Sequence, residues 1–313
     1  MQTIQEVPMA IEKTDQSNRN KKRKNYFNSK LTGFVLIFLF LCGLLITVYP
    51  FISNELAKYN TIQAIEEYEA YTTNLSKEQL EFEWAAAWVY NDNLAGDPVH
   101  DPFVADSGMA LPENYTEVLN PAQNGVMGYL EVPSVDIKLL IAHGTSDEVL
   151  NQYAGHIEQT SLPIGGENSH AVLTAHTGMP TARLFTDLID VEVGDKFYIY
   201  VLDEKLTYQV DQIEVILPEE VEQLRIVPGK DYVTLLTCTP YGINSHRLLV
   251  RGERIPNEED ETETAESFDW RLIVIIGIIL VLLLLLYRRR RKRKRKLAAF
   301  DTEERIKAGY EGS

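Results

Sequence analysis

Cysteine is almost absent: Cys42 and Cys238 are the only two in 313 residues, and Cys42 lies inside an apolar run. Cys238 is thus the one thiol outside such runs, and no intramolecular disulfide can form around it. No paired-cysteine spacing suggests zinc, and the scattered acidic residues form no dedicated calcium loop, so neither metal nor cofactor is expected. Positive charge is scarce where most of the chain lies. Lys and Arg counted against Asp and Glu give −28 over residues 53–270, compared with −16 for the whole chain. A segment that acidic repels a phosphate backbone, which argues against nucleic acid as a partner. Internal repeats are also missing, so no repeat array is expected.

Two long uncharged runs are present. Residues 31–52, LTGFVLIFLFLCGLLITVYPFI, are long enough to cross a bilayer as a helix. Residues 272–287, LIVIIGIILVLLLLLY, are slightly short, but Trp270 and Tyr287 at their ends suit the interfacial belt. Cationic blocks flank the pair, NKKRK at 20–24 before the first and RRRRKRKRK at 288–296 after the second. By the positive-inside rule both tails then lie in the cytoplasm and the middle lies outside, in a multi-pass protein of the cell membrane. The second block acts as a stop-transfer signal and attracts anionic lipid. The first run exceeds a signal-peptide core and lacks a small-x-small cleavage site after it, so it reads as an uncleaved anchor.

The expected organisation follows. A cytoplasmic tail occupies residues 1–30 and a transmembrane helix 31–52. N-terminal helices fill 53–95, where apolar residues recur at helical spacing and residues 54–92 hold no Pro or Gly; Asn74 or Ser76 caps the second helix. Residues 96–114, with three prolines and two glycines, form a long loop. From 115 to 254 short β segments dominate: VMGYLEV, IKLLIA, AVLTAH, KFYIYVL, LTYQVDQIEVIL, YVTLLTC and RLLVRGERI. Counting the long fifth segment as two strands across a bend gives eight, and brief helical pieces fit DEVLNQY and ARLFTDL. The fold class is mainly β, an eight-stranded, antiparallel-rich barrel with attached helices. An acidic linker (255–271), the second span (272–287) and a basic tail (288–313) complete the chain.

Within TLLTCTPYGINSHRLLVRG at 234–252, a strand ending at Cys238 turns through Pro240 and Gly242 and pairs back through Arg247. The two side chains then flank one turn at the barrel rim. A nearby cation favours the thiolate, the attacking form of a thiol, and the arginine fork can hold a developing oxyanion. Arginine cannot shuttle protons, whereas histidine can. Of the six histidines, at 100, 143, 156, 170, 176 and 246, His176 has the best context, since it ends an apolar strand and precedes a turn. His246 adjoins Arg247, which works against its protonation. A buried, inert cysteine is the competing reading of Cys238, and the residues alone leave both open.

The stretch TLLTCTPYGINSHRLLVRG resembles the TLxTC signature and downstream arginine of the sortases, membrane-bound cysteine transpeptidases of Gram-positive bacteria. SLPIGGENSHAVLTAHTGMPTARLFTDL at 161–188 is similar to the segment carrying that family's histidine. The similarity runs over about residues 54–254 and implies the eight-stranded sortase barrel with His176, Cys238 and Arg247 as the catalytic set. DPF at 101–103 resembles the lid motif of the class C, pilus-assembling sortases, and a second span is a further feature of that class. Asp101, Pro102 and Phe103 would then form a lid, the aspartate pairing with Arg247 and the ring covering the sulfur. Thr237, Thr239, Ser161, Leu162 and Pro163 are candidate substrate contacts.

The resemblance implies cleavage of an LPxTG-like sorting signal between Thr and Gly, and transfer of the acyl group to a pilin lysine. The partners would be pilins or other surface proteins bearing that signal. A housekeeping sortase that anchors surface proteins to peptidoglycan is the alternative within the family. A non-catalytic, membrane-tethered surface binding module is the alternative outside it. LPIGG at 162–166 superficially resembles a sorting motif, but it lies within the barrel sequence, and none occurs in 255–271.

Overall fold

The computed structural model describes residues 9–94 and 114–257, with isolated positions between 277 and 291. Helix α1 runs Met9–Thr73 without interruption, across the boundaries expected at 30 and 52. Pro50 lies inside it, removing one backbone donor without ending the helix. Among the described residues, one helical stretch, Gly33–Thr73, is long and apolar enough to cross a membrane, and none of its most apolar window is buried. The second expected span and the basic tail lie almost wholly outside the described residues, as do most of the linker and residues 95–113.

Beyond the apolar run, α1 turns one face inward. Ser53, Asn54, Ala57, Thr61 and Ala64 are half-buried and Ile65, Tyr68 and Thr72 buried, a spacing that keeps them on one side of a helix. Tyr68 is the anchor: its hydroxyl donates to the Met127 carbonyl and accepts from the Leu202 amide, at 2.8 Å each. Helix α2, Lys77–Asp92, begins where Ser76 and Gln79 satisfy each other's backbone amides in a capping box, the second of the two caps expected. Such a cap contributes about 1 kcal/mol. Asn91 fastens α2 to the barrel, accepting from the Leu162 amide at 2.8 Å and donating to its carbonyl at 3.3 Å. Trp88 lies so close to Gly166 that a Cβ there would come within 2.6 Å of its ring.

The barrel comprises β1 (Val126–Val132), β2 (Ile137–His143), β3 (Ala154–His156), β4 (Ser169–Thr174), β5 (Lys196–Val201), β6 (Glu204–Ile216), β7 (Asp231–Thr239) and β8 (His246–Ile255). It closes in the order β1-β2-β3-β4-β7-β8-β6-β5. Six of its eight pairings are antiparallel; β2 with β3 and β4 with β7 are parallel. The expected total of eight was reached by splitting one strand and missing another. β6 is a single strand whose bend is a register shift between Val210 and Gln212, and the three-residue β3 has no counterpart among the expected segments. Helix α3, Asp147–Leu150, matches the first helical piece, whereas the second is a 3-10 turn over Thr186–Asp190.

Strand alternation makes two apolar layers. Leu173, Leu235 and Val250 belong to the main barrel core with Leu130, Phe197 and Tyr208. Their neighbours Val172, Leu236 and Leu249 point the opposite way, into a second cluster with Ile157, Ile216 and Leu224. β4, β7 and β8 are therefore covered on both faces, which suits near-continuous apolar strands and the parallel β4–β7 pair.

Candidate active site

Cys238 and Arg247 are direct partners in the β7–β8 ladder. Opposed residues in a ladder point to the same face, so thiol and guanidinium emerge side by side. That face is the outer one: Cys238 is two residues beyond Leu236 and Arg247 two before Leu249, both of the second cluster. The turn between them is closed by amides of Ile243 and Asn244 donating to the Pro240 carbonyl. Arg247 donates from Nη1 to the carbonyls of Asn244 and His246, at 3.2 and 3.1 Å, which holds the guanidinium against that turn.

His176 enters from the other side of β7. The parallel register pairs Thr174 with Leu236 at the end of β4, so His176 follows two residues beyond that pair, as Cys238 does on β7. The chain keeps that course past the end of β4, because the Ala175 amide donates to the Leu236 carbonyl at 3.3 Å and Thr237 Oγ1 donates to the Ala175 carbonyl at 2.8 Å. His176, Cys238 and Arg247 thus come to the same end of the adjacent strands β4, β7 and β8. Burial holds His176 below the usual histidine range, and the Asp147 carboxylate at the start of α3 opposes that shift.

The other described histidines have structural occupations. His156, wholly buried, sets Nδ1 against the Tyr115 hydroxyl and donates from Nε2 to the Ser161 carbonyl; burial pushes its pKa down to about 3. His170 donates from Nδ1 to the Arg225 carbonyl and meets the Thr234 hydroxyl with Nε2, and burial pushes it down to about 4. His143 places its nitrogens against the carbonyls of Gly125 and Val118, and His246 meets Ser245. His100 lies outside the described residues.

The candidate substrate contacts are placed elsewhere. Thr237 alternates with Cys238 and so faces away from it, its hydroxyl engaged as above; Thr239 continues that alternation and is buried. Ser161 is buried, accepting from the His170 amide at 3.0 Å, while Leu162 belongs to the main core and Pro163 is buried beside it. These five side chains serve the interior rather than the outer face bearing Cys238. Their position in a motif-like stretch did not reveal which way the backbone would turn them. The lid residues Asp101, Pro102 and Phe103 lie outside the described residues. Asp147, in turn, read only as part of a short helical piece, because nothing local signals a neighbour 29 residues away in sequence.

No group of three or more His, Cys, Asp or Glu able to hold a metal ion occurs among the described residues. The chemistry such a set can perform is nucleophilic attack by sulfur, proton transfer by imidazole and oxyanion stabilisation by guanidinium.

Comparison with known proteins agrees with the geometry. A family profile described as the sortase domain matches residues 130–255. A crystal structure of sortase C-1 from Streptococcus pneumoniae is similar at a TM-score of 0.57 with 46% identity, covering 63% of this chain and 100% of that one. A pilus-related sortase C of Group B Streptococcus is similar at a TM-score of 0.55 with 43% identity, covering 61% and 96% respectively. Sortase A of Streptococcus agalactiae serotype III is 33% identical over 132 residues, which are 41% of this chain and 52% of that relative.

Proposed function

Because this chain belongs to the sortase family of cysteine transpeptidases, within the pilus-related class C, we propose that it links pilin subunits through a thioacyl intermediate on Cys238. The placement of His176, Cys238 and Arg247 at the same end of three adjacent strands supports this reading. Cys238 Sγ attacks the carbonyl carbon between Thr and Gly of an LPxTG-like signal. The oxyanion draws on the N–H donors of Arg247, and its collapse breaks the C–N bond as His176 gives a proton to the departing glycine amine. A lysine amine of the next pilin then attacks the thioester, His176 takes the proton, and the new amide forms as the thiolate leaves. Amine must outcompete water at that step, which a narrow, partly dry site favours.

Mass spectrometry of the chain incubated with a sorting-signal peptide tests the central step. The expected product is an acyl adduct on Cys238, absent from Cys238→Ala; an adduct that persists in the variant ends the proposal.

Two further parts of this reading rest on sequence. Asp101, Pro102 and Phe103 form a lid over the thiol, and residues 272–287 cross the membrane a second time, leaving both tails in the cytoplasm and the barrel outside.

A further inference from the structure

We propose that Ser53 and Asn54, on the helix that leaves the apolar run, are positioning residues for His176. His176 lies near the start of an irregular segment that runs from Ala175 to the 3-10 turn Thr186–Asp190. The two ends of this segment are tied to each other. The Phe185 amide donates to the His176 carbonyl at 3.1 Å, and the Gly178 amide donates to Thr186 Oγ1 at 3.0 Å. Its middle is tied to α1. Ser53 Oγ donates to the Thr181 carbonyl at 2.9 Å, and the Arg183 amide donates to Asn54 Oδ1 at 2.9 Å. Both helix residues are half-buried on the face that α1 turns toward the barrel.

The second tie falls at a demanding place. Leu184, the residue after Arg183, has φ of 43°, a left-handed conformation that crowds the Cβ of any residue but glycine. Such a conformation persists only where its surroundings over-determine it. Below, Leu184 and Phe185 are buried in the main core; above, Asn54 holds the preceding amide. If that amide is released, the segment can relax, and the displacement passes through the Phe185 bond to the backbone of His176. No part of α1 is invoked in the chemistry, so Ser53 and Asn54 act only through the loop.

This inference rests on His176 being the proton-transfer group of the proposed reaction. The test uses the full chain in lipid nanodiscs, with Asn54→Leu alone and combined with Ser53→Ala. Turnover of a sorting-signal peptide should show kcat lower by about tenfold, within the loss expected from a misplacement of about 1 Å, with KM changed less than about twofold. Asn54→Asp keeps an oxygen that accepts from the Arg183 amide and should restore kcat to within about twofold. A second measurement needs no substrate: the pH profile of Cys238 alkylation by iodoacetamide, whose inflection from His176 should move in Asn54→Leu and return in Asn54→Asp. Unchanged kcat with an unmoved profile, or a loss that Asn54→Asp does not reverse, overturns the proposal. A wild-type chain without turnover would sink the transpeptidase reading instead, while the alkylation profile would still decide the role of Asn54.

Discussion

Cys238 is 9% and Arg247 6% exposed, so both reacting partners sit within the sheet surface rather than on a projecting loop. His176 is half-buried and lies just past a strand end. The protonation of that imidazole is therefore set by two opposed causes, withdrawal from water and the carboxylate of Asp147. Protonating a leaving amine requires the charged imidazole, and burial works against it. Removing the carboxylate takes away a charge that favours the protonated form, so Asp147→Asn should lower the protonated share of His176 at pH 7. The expected result is kcat/KM at pH 7 reduced roughly two- to fivefold, with the alkaline limb, where the imidazolium loses its proton, displaced to lower pH. A pH–rate profile on a sorting-signal peptide, with the thermal midpoint measured in parallel, checks this. An alkaline limb that stays in place would remove Asp147 from the mechanism.

Register is what brings three distant residues to one end of adjacent strands. A slip of one residue between β7 and β8 would turn Arg247 to the barrel interior, so the turn at 240–245 matters through its length. A loop of another kind is expected at residues 96–114. If Asp101 and Phe103 cover the thiol, Asp101→Ala or Phe103→Ala should speed labelling of Cys238 by a small thiol reagent, read as a second-order rate constant. Equal rates in variant and wild type would dismiss the lid. At this scale most strands were legible, because β-branched and aromatic runs bounded by turn residues mark β1, β2, β5, β7 and β8 directly. β3 was not, since its three residues, Ala-Gly-His, carry no β signature and are held only by neighbours on both sides. The pair Cys238 and Arg247 could be read from a hairpin, which is local; Asp147 and Asn54 could not, since each reaches the His176 segment through tertiary contact alone.

For the molecule as a whole, acid should unfold the barrel by way of its buried histidines. His156 and His170 titrate near 3 and 4 when folded and near the ordinary 6.5 when unfolded. Below pH 6.5 the unfolded chain binds more protons, so stability is complete above that value and falls as pH drops toward 4. The loss is up to about 1.4 kcal/mol per pH unit for each histidine. Urea unfolding at pH 7, 6 and 5 should show this slope, and His170→Gln should flatten it; an unchanged slope would assign the dependence to other groups. Topology is checked on the same scale. Alkaline phosphatase fused after residue 257 should be active, and inactive when fused after residue 313, if the second apolar run crosses the membrane.

The parallel pairing of β4 with β7 carries a final consequence for how this protein comes into being. His176, just past the end of β4, and Cys238, on the neighbouring β7, are 62 residues apart in sequence, and Arg247 comes from the last strand of the barrel. Early segments emerging during synthesis can fold helices and the first hairpin, yet do not include Cys238. If these three residues form the active site, it is complete only when the closing strand is in place.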